Sequence, residues 1–287
     1  MGRYRKILVA VDGSESSVNA FRQACKVVRE DKSWVTVVTT IPTLQDQFAT
    51  LNVREKAAKA LRSEGEGILA AIRKAAEEED IKIKSRLEEG SPMDAIKAIT
   101  DENGFDLIVM GRKGRSGTAS AMVGSVTARV IGHVKKDVLV VPKGSSLGWD
   151  RVLLATDGSG CCSSAAARAI DIARSYGGRL YALSVVDVTE EFMAQAPDAV
   201  EKLVQNSKAL LAVIGKDAEA SGVVMETVVK EGEPSSRIAE LAAEKGISVI
   251  IMGSHGRTGL KRLLMGSVTE KVIGHAPCPV LVVWSGV

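Results

Sequence analysis

Gly253 to Val268 reads GSHGRTGLKRLLMGSV and follows the apolar run Ile247 to Met252; its earlier copy, Gly111 to Val126, reads GRKGRSGTASAMVGSV and follows Phe105 to Met110. Both copies share the spacing G-x-x-G-x(9)-G-S behind a strand and ahead of a helix-like segment. Glycine lets a backbone approach a ligand closely or take positive φ, and a Gly-Ser at a helix start offers N–H groups and a hydroxyl to an anion. Three glycines can equally form a tight turn with no ligand, but the repetition of one spacing favours phosphate chemistry. Neither copy is a Walker A loop, and Asp12-Gly13-Ser14, after the first strand, is no dinucleotide fingerprint.

Outward from these loops, the chain alternates strands and helices. Lys6 to Val11 is a strand closed by Asp12-Gly13-Ser14, and Glu15 to Glu30 carries apolar residues at helical spacing. Trp34 to Ile41 is a second strand, Val53 to Glu79 a long helix and Ile81 to Leu87 a third strand. Pro92 opens a helix running to about Glu102, and Phe105 to Met110 is the fourth strand. Ser125 to Val134 makes a helix and Val138 to Val141 a fifth strand. The segment KGSSLGWD, Lys143 to Asp150, reads as an interdomain linker. The pattern then returns, with strands expected at Arg151–Thr156, Arg179–Val186, Val223–Lys230, Val249–Met252 and Val280–Trp284 and the long helix at Pro197–Ser221.

Gly90 and Gly232 stand as far apart as Gly111 and Gly253, whereas Asp12 and Asp157 stand three residues further apart, so the length change falls between the second and third strands. Strands that are apolar nearly throughout demand a parallel sheet covered on both faces. The fold class is therefore α/β, two doubly wound five-stranded parallel-sheet modules at 1–143 and 151–287 joined by 144–150. In such a sheet a ligand sits beyond the carboxyl ends of the strands, where the strand order reverses.

With 287 residues the chain has room for two domains. Hydrophobic residues make up 45% and charged residues 25%, the mix of a soluble globular protein, while 3% aromatics calls for aliphatic cores. A net charge of +3, with interspersed signs, implies neither nucleic acid nor membrane, and no apolar run approaches spanning length, so a cytoplasmic protein is expected. Cys25, Cys161, Cys162 and Cys278 lack metal-ligand spacing and suit a reducing compartment. The pair Cys161-Cys162 lies near a helix start that could lower a thiol pKa, or simply fills that start with small residues.

The two glycine loops, with Val9 to Ser14 and its copy Leu154 to Ser159, resemble the universal stress protein family in its tandem form, both modules looking like the ATP-binding subgroup. The resemblance covers Lys6 to Pro142 and Arg151 to Trp284 and implies strand order 3-2-1-4-5 in each module. It also implies ATP, with Mg or Mn, as ligand. The first-strand aspartate and the second-strand end would hold the adenosine, and the glycine loop with its Gly-Ser the phosphates. Carried over, the first site comprises Ala10, Asp12, Thr40, Met110, Gly111, Gly114, Gly124, Ser125 and Val126. The second comprises Ala155, Asp157, Val185, Met252, Gly253, Gly256, Gly266, Ser267 and Val268. ATP-binding relatives often carry proline where this chain has Ala10 and Ala155.

Asp12 and Asp157 can serve a ligand or only cap their Asp-Gly-Ser turns. Arg112, Lys113, Arg115, Arg257, Lys261 and Arg262 can neutralise triphosphate or lie solvated. Lys261 and Arg262, replaced by small residues in the first loop, are expected to tighten the second site at low salt. His133 and His275 suit the ends of their helices as dipole partners. With no catalytic triad, paired carboxylates or zinc spacing, the reading is an ATP-binding stress-response regulator or sensor with at most slow hydrolysis. The alternatives are an interaction scaffold without nucleotide and an ATP-using enzyme. The fifth strands are expected to pair the two modules, as in the dimers of single-module relatives, and a homodimer of chains can follow.

Overall fold

The computed structural model describes residues 4–43, 51–115, 122–256 and 265–285, without the side chains of 51–53 and 161. The first half runs β1 (Lys6–Ala10), α1 (Glu15–Asp31), β2 (Trp34–Ile41), α2 (Leu51–Glu78), β3 (Ile83–Glu89), α3 (Pro92–Asn103), β4 (Leu107–Gly111), α4 (Ser125–His133) and β5 (Asp137–Val141). The second half runs β6 (Arg151–Ala155), α5 (Gly160–Tyr176), β7 (Arg179–Val186), α6 (Glu190–Gln195), α7 (Pro197–Ala220), β8 (Met225–Glu231), α8 (Pro234–Glu244), β9 (Val249–Gly253), α9 (Ser267–His275) and β10 (Val280–Val283).

The strands form one ten-stranded sheet in the order β3-β2-β1-β4-β5-β10-β9-β6-β7-β8, so 3-2-1-4-5 reads inward from either edge. Pairing is parallel except at the centre, where β5 and β10 run antiparallel in the register Val138↔Val282, Leu139↔Leu281 and Val140↔Val280. Successive side chains of a strand point to opposite faces, and both faces are covered. Ile7, Val9, Leu107 and Val109 pack with α1 residues Ala20, Phe21 and Ala24 and α2 residues Leu69 and Ile72. On the other face Leu8, Ile108 and Met110 pack with Ile96 and Ile99 of α3 and Val130 and Ile131 of α4.

Three local differences from the sequence reading have physical causes. β3 begins at Ile83 rather than Ile81, because Asp80 takes φ 52° and Ile81 N still donates to Ala76 O, 2.9 Å, at the end of α2. The unexpected short helix α6 forms because Thr189 accepts from Phe192 N, 3.2 Å, with Glu190 and Glu191 in its first turn. It stops at Ala196, which precedes Pro197 and is pushed out of the helical region, φ −137°. The polar-looking linker is docked on α1: Leu147 and Trp149 are buried, Leu147 N donates to Gln23, and the Trp149 indole N–H donates to Glu30 at 2.6 Å. No described helix is long and apolar enough to cross a membrane.

A buried polar seam ties the halves beside the central strands. Asp137, only 3% exposed, accepts from Tyr4 OH at 3.1 Å and from Trp284 N at 3.2 Å, and pairs with Arg168 Nε at 3.0 Å. Asp31 accepts from Tyr4 N at 2.7 Å and from Tyr176 OH at 2.6 Å, and Tyr176 stacks on Trp149. Removing one member of a buried pair strands the other charge, which costs about 3 kcal/mol or more. Asp137→Ala is therefore expected to lower unfolding stability by about 3 kcal/mol in denaturant titration, and Asp137→Asn, which keeps an acceptor, by less. A loss below about 0.5 kcal/mol for Asp137→Ala, the size of an ordinary surface change, would remove the seam from the account.

Candidate functional site

The site of the first module grows from the end of β1. Val11 N still pairs with Val38 O at 2.9 Å, and the chain then turns through Gly13 at φ +79°, a conformation that favours glycine. Ser14 caps α1 by accepting from Ser17 N at 3.2 Å. One oxygen of Asp12 accepts from Ser14 N at 3.0 Å and Ser14 Oγ at 2.6 Å; the other accepts from Arg115 N at 2.8 Å. Asp12 thus caps its own turn and also ties the glycine loop to the end of β1. Burial pushes its carboxyl up, but the donated hydrogen bonds from Ser14, Arg115 and Ser17 outweigh this and hold it below the ordinary value of 3.8.

None of the loop glycines expected at the site takes positive φ, so the loop uses glycine for closeness rather than for left-handed backbone. A Cβ on Gly114 would meet Asp12 Oδ2 at 2.5 Å, and one on Gly111 would meet the Ser16–Ser17 backbone at 2.8 Å. Gly124 N donates to Arg112 O at 2.8 Å, closing the loop, and a Cβ there would stand 3.3 Å from that oxygen. Thr127 Oγ1 donates to Gly111 O at 3.0 Å, fixing α4 to the end of β4. Gly124 caps α4 without a side-chain hydrogen bond, so the cap itself leaves the N–H groups of the first turn open to other acceptors.

These elements enclose a cavity of about 920 Å³ at the carboxyl ends of β1, β2 and β4. All nine first-module candidates line it, with Thr40 on the β2 side and Gly124, Ser125 and Val126 at the start of α4. The sequence reading missed Leu61, Glu64, Gly65 and Ile68 on α2, Pro92 and Ile96 on α3, and Glu270 from the second module. Gly65 carried a usable signal: it interrupts a strong helix pattern, and its Cβ would meet Leu87 at 2.5 Å and Ile41 at 2.9 Å. Arg115 pairs with Glu64, so its charge is shared between the loop and α2.

The second module repeats the frame. Gly158 takes φ +79°, Asp157 accepts from Ser159 N at 2.9 Å, and a Cβ on Gly256 would lie 2.6 Å from Asp157 Oδ2. Gly266 N donates to Ser254 O at 2.9 Å, and Thr269 Oγ1 donates to Gly253 O at 3.1 Å. Ala155 ends β6 and Met252 lies in β9, both buried, while Val185 is half-buried near the end of β7. Ser267 and Val268 open α9 behind the Gly266 cap. Arg257, Lys261, Arg262 and the stretches Thr118–Ala121 and Leu260–Leu263 lie outside the described residues, as does the side chain of Cys161.

Cys162 stands where the first module has Ser17 and donates its thiol to Asp157 at 3.0 Å. Burial and the Asp157 contact push that thiol up, and burial pushes Cys25 and Cys278 up to about 12. Burial thus disfavours the thiolate, the nucleophilic form, at all three of these free cysteines. His133 and His275 each lie in the last turn of their helix with Nδ1 against the carbonyl four residues back, at 2.8 and 2.9 Å.

A doubly wound sheet with a glycine loop and a Gly-Ser helix start at its switch point defines the class of α/β protein to which this chain belongs. The chain belongs to the universal stress protein family, whose profile matches residues 3–142 and 148–283, two domains in tandem. A universal stress protein of Methanocaldococcus jannaschii is 38% identical over 148 residues, covering 50% of this chain and 86% of its own. One from Mycolicibacterium smegmatis is 26% identical over 290 residues and covers 96% of both chains. The crystal structure of a universal stress protein from Archaeoglobus fulgidus shares the fold, with TM-score 0.72 at 22% identity over 97% of this chain and 95% of that one.

Loss of the Asp12 tether is expected to cost about 2 kcal/mol near neutral pH, the scale of hydrogen bonds to a charged group. Because the folded carboxyl titrates below its unfolded value, this stability is complete above the ordinary carboxylate range and is lost as pH falls through the folded value. Unfolding curves of wild type and Asp12→Ala should therefore differ at pH 7 and converge in acid, as the pH falls through a folded value that lies below the ordinary 3.8. A gap that persists undiminished into strong acid would mean the ionised carboxylate is not what holds the loop.

Proposed function

We propose that each module binds an adenine nucleotide, ATP with Mg or Mn, and that the protein is a cytoplasmic stress-response regulator or sensor with at most slow hydrolysis. The observation that carries this reading is the gathering of all nine first-module candidates around one cavity of about 920 Å³, a size that suits a nucleotide. Its β2 side, near Thr40 and Ile41 with Ile68 and Ile96, is apolar enough for a base. Its α4 side offers backbone N–H groups and the Ser125 hydroxyl to phosphate. The lack of side chains at Gly114 and Gly124 lets the loop close tightly on Asp12 and on Arg112 O, so that the wall facing phosphate in this reading is backbone. The oxygen donors of the lining, Asp12, Ser125 and Glu270, are hard ligands that fit Mg or Mn, which would neutralise phosphate charge when bound. Slow turnover at most is consistent with Asp12 already accepting three hydrogen bonds and with no histidine lining the cavity among the described residues.

In this reading 1–143 and 151–287 are the two binding units, 144–150 links them, β5 and β10 pair them within the chain, and chains pair further as homodimers.

Mass spectrometry of ligand released from the denatured protein is expected to find adenine nucleotide. Calorimetry is expected to find two sites, with Gly124→Val removing the first and Gly266→Val the second, because a β-branched side chain blocks the approach of phosphate to backbone. One site in the wild type, or two in either variant, contradicts the reading. Cys162→Ser, which copies Ser17, should leave both affinities within a few-fold; a hundredfold loss, about 2.7 kcal/mol, would make the thiol part of the site.

A further inference from the structure

Three carboxylates line the first-module cavity. Asp12 is held by Ser14 and Arg115 N, and Glu64 is paired with Arg115. Glu270 comes from the first turn of α9 in the other module, and its carboxylate has no hydrogen bond or ion pair among the described residues. Its position is fixed from the first module. Arg112, directly after β4, donates from Nη1 to Gly274 O at 3.0 Å and Ala276 O at 3.5 Å, gripping the last turn of α9. Met122 seats against the same turn so closely that a Cβ on Gly274 would come within 2.7 Å of it. The arrangement is one-way: Ser254 stands at the place equivalent to Arg112 and Ala128 at that equivalent to Glu270.

An unpaired carboxylate lining a polyanion site repels bare phosphate, and the sign reverses when a divalent cation lies between them, since Mg2+ is commonly held by one or two carboxylates together with substrate phosphates. We propose that Glu270 of the second module is a specificity-determining residue of the first module's nucleotide site, making that site select the metal-bound nucleotide over the free one. Arg112 is a positioning residue that holds α9 so that Glu270 lines the cavity. The inference rests on the nucleotide reading above and adds a selectivity that the second site does not share through this residue.

The test is calorimetry of ATP binding, with Mg2+ and with EDTA, in a Gly256→Val background that silences the second site without touching α9. Adding Glu270→Gln, an exposed and isosteric change, is expected to shrink the Mg2+-dependent gain in affinity about five-fold, the scale of one partly screened charge. Free ATP should bind more tightly and Mg-ATP more weakly, while AMP, which lacks the outer phosphates, should bind unchanged. Arg112→Met should reproduce part of the shift with AMP affinity again unchanged; a merely structural role would move AMP as well. An unaltered Mg2+ gain in Glu270→Gln overturns this inference and leaves the nucleotide reading standing. Absence of ATP binding in the wild type overturns both.

Discussion

The cavity exists because the chain leaves β1 and β4 toward opposite faces of the sheet. After β1 it enters α1, whose Ala20, Phe21 and Ala24 pack with Leu69 and Ile72 of α2 on one side. After β4 it enters α4, whose Val130 and Ile131 pack with Ile96 and Ile99 of α3 on the other. Since β1 and β4 are hydrogen-bonded neighbours, from Ile7↔Leu107 to Ala10↔Met110, their diverging connections cannot close over the strand ends. Burial of both sheet faces thus forces a crevice between these strands.

What borders the crevice is then set by short-range chemistry. Asp12 stands one residue beyond the last β1 pairing with β2 and accepts from the loop that follows β4, so a single carboxylate spans the split. Glycine at 114 is required by that span, because any side chain would collide with the carboxylate itself. The second module repeats the close approach, with a Cβ on Gly256 falling 2.6 Å from Asp157 Oδ2.

The modules diverge where they meet. Asp137, buried beside Arg168 and Tyr4, has Pro279 at the equivalent place in the second module, and Arg112 has Ser254. Across an approximate two-fold one residue meets a different residue of the other copy, and only positions near the axis, such as Leu139 and Leu281, meet their own copies. The seam sets Asp137 and Asp31 of the first module against Arg168 and Tyr176 of the second, and the first module's cavity receives a residue from its neighbour with none returned by the same pair.

Much of this was legible in the residues. Apolar runs closed by Asp-Gly-Ser and by Gly-x-x-Gly marked the strands to within a few residues, because strand burial and turn chemistry are local. The repeated spacing also named residues that converge on one cavity in the first module, since each follows a strand end that parallel order carries to the same edge of the sheet. The sequence alone thus determined a two-module α/β chain and the backbone elements of its candidate site. Only the tertiary structure decided that α2 and α3 wall the cavity, that Leu147 and Trp149 anchor the connecting segment, and that Arg112 and Glu270 cross between modules. Those facts depend on which surfaces meet after the sheet is assembled, and residues 162 positions apart, such as Arg112 and Gly274, leave no periodic trace of their contact in the chain.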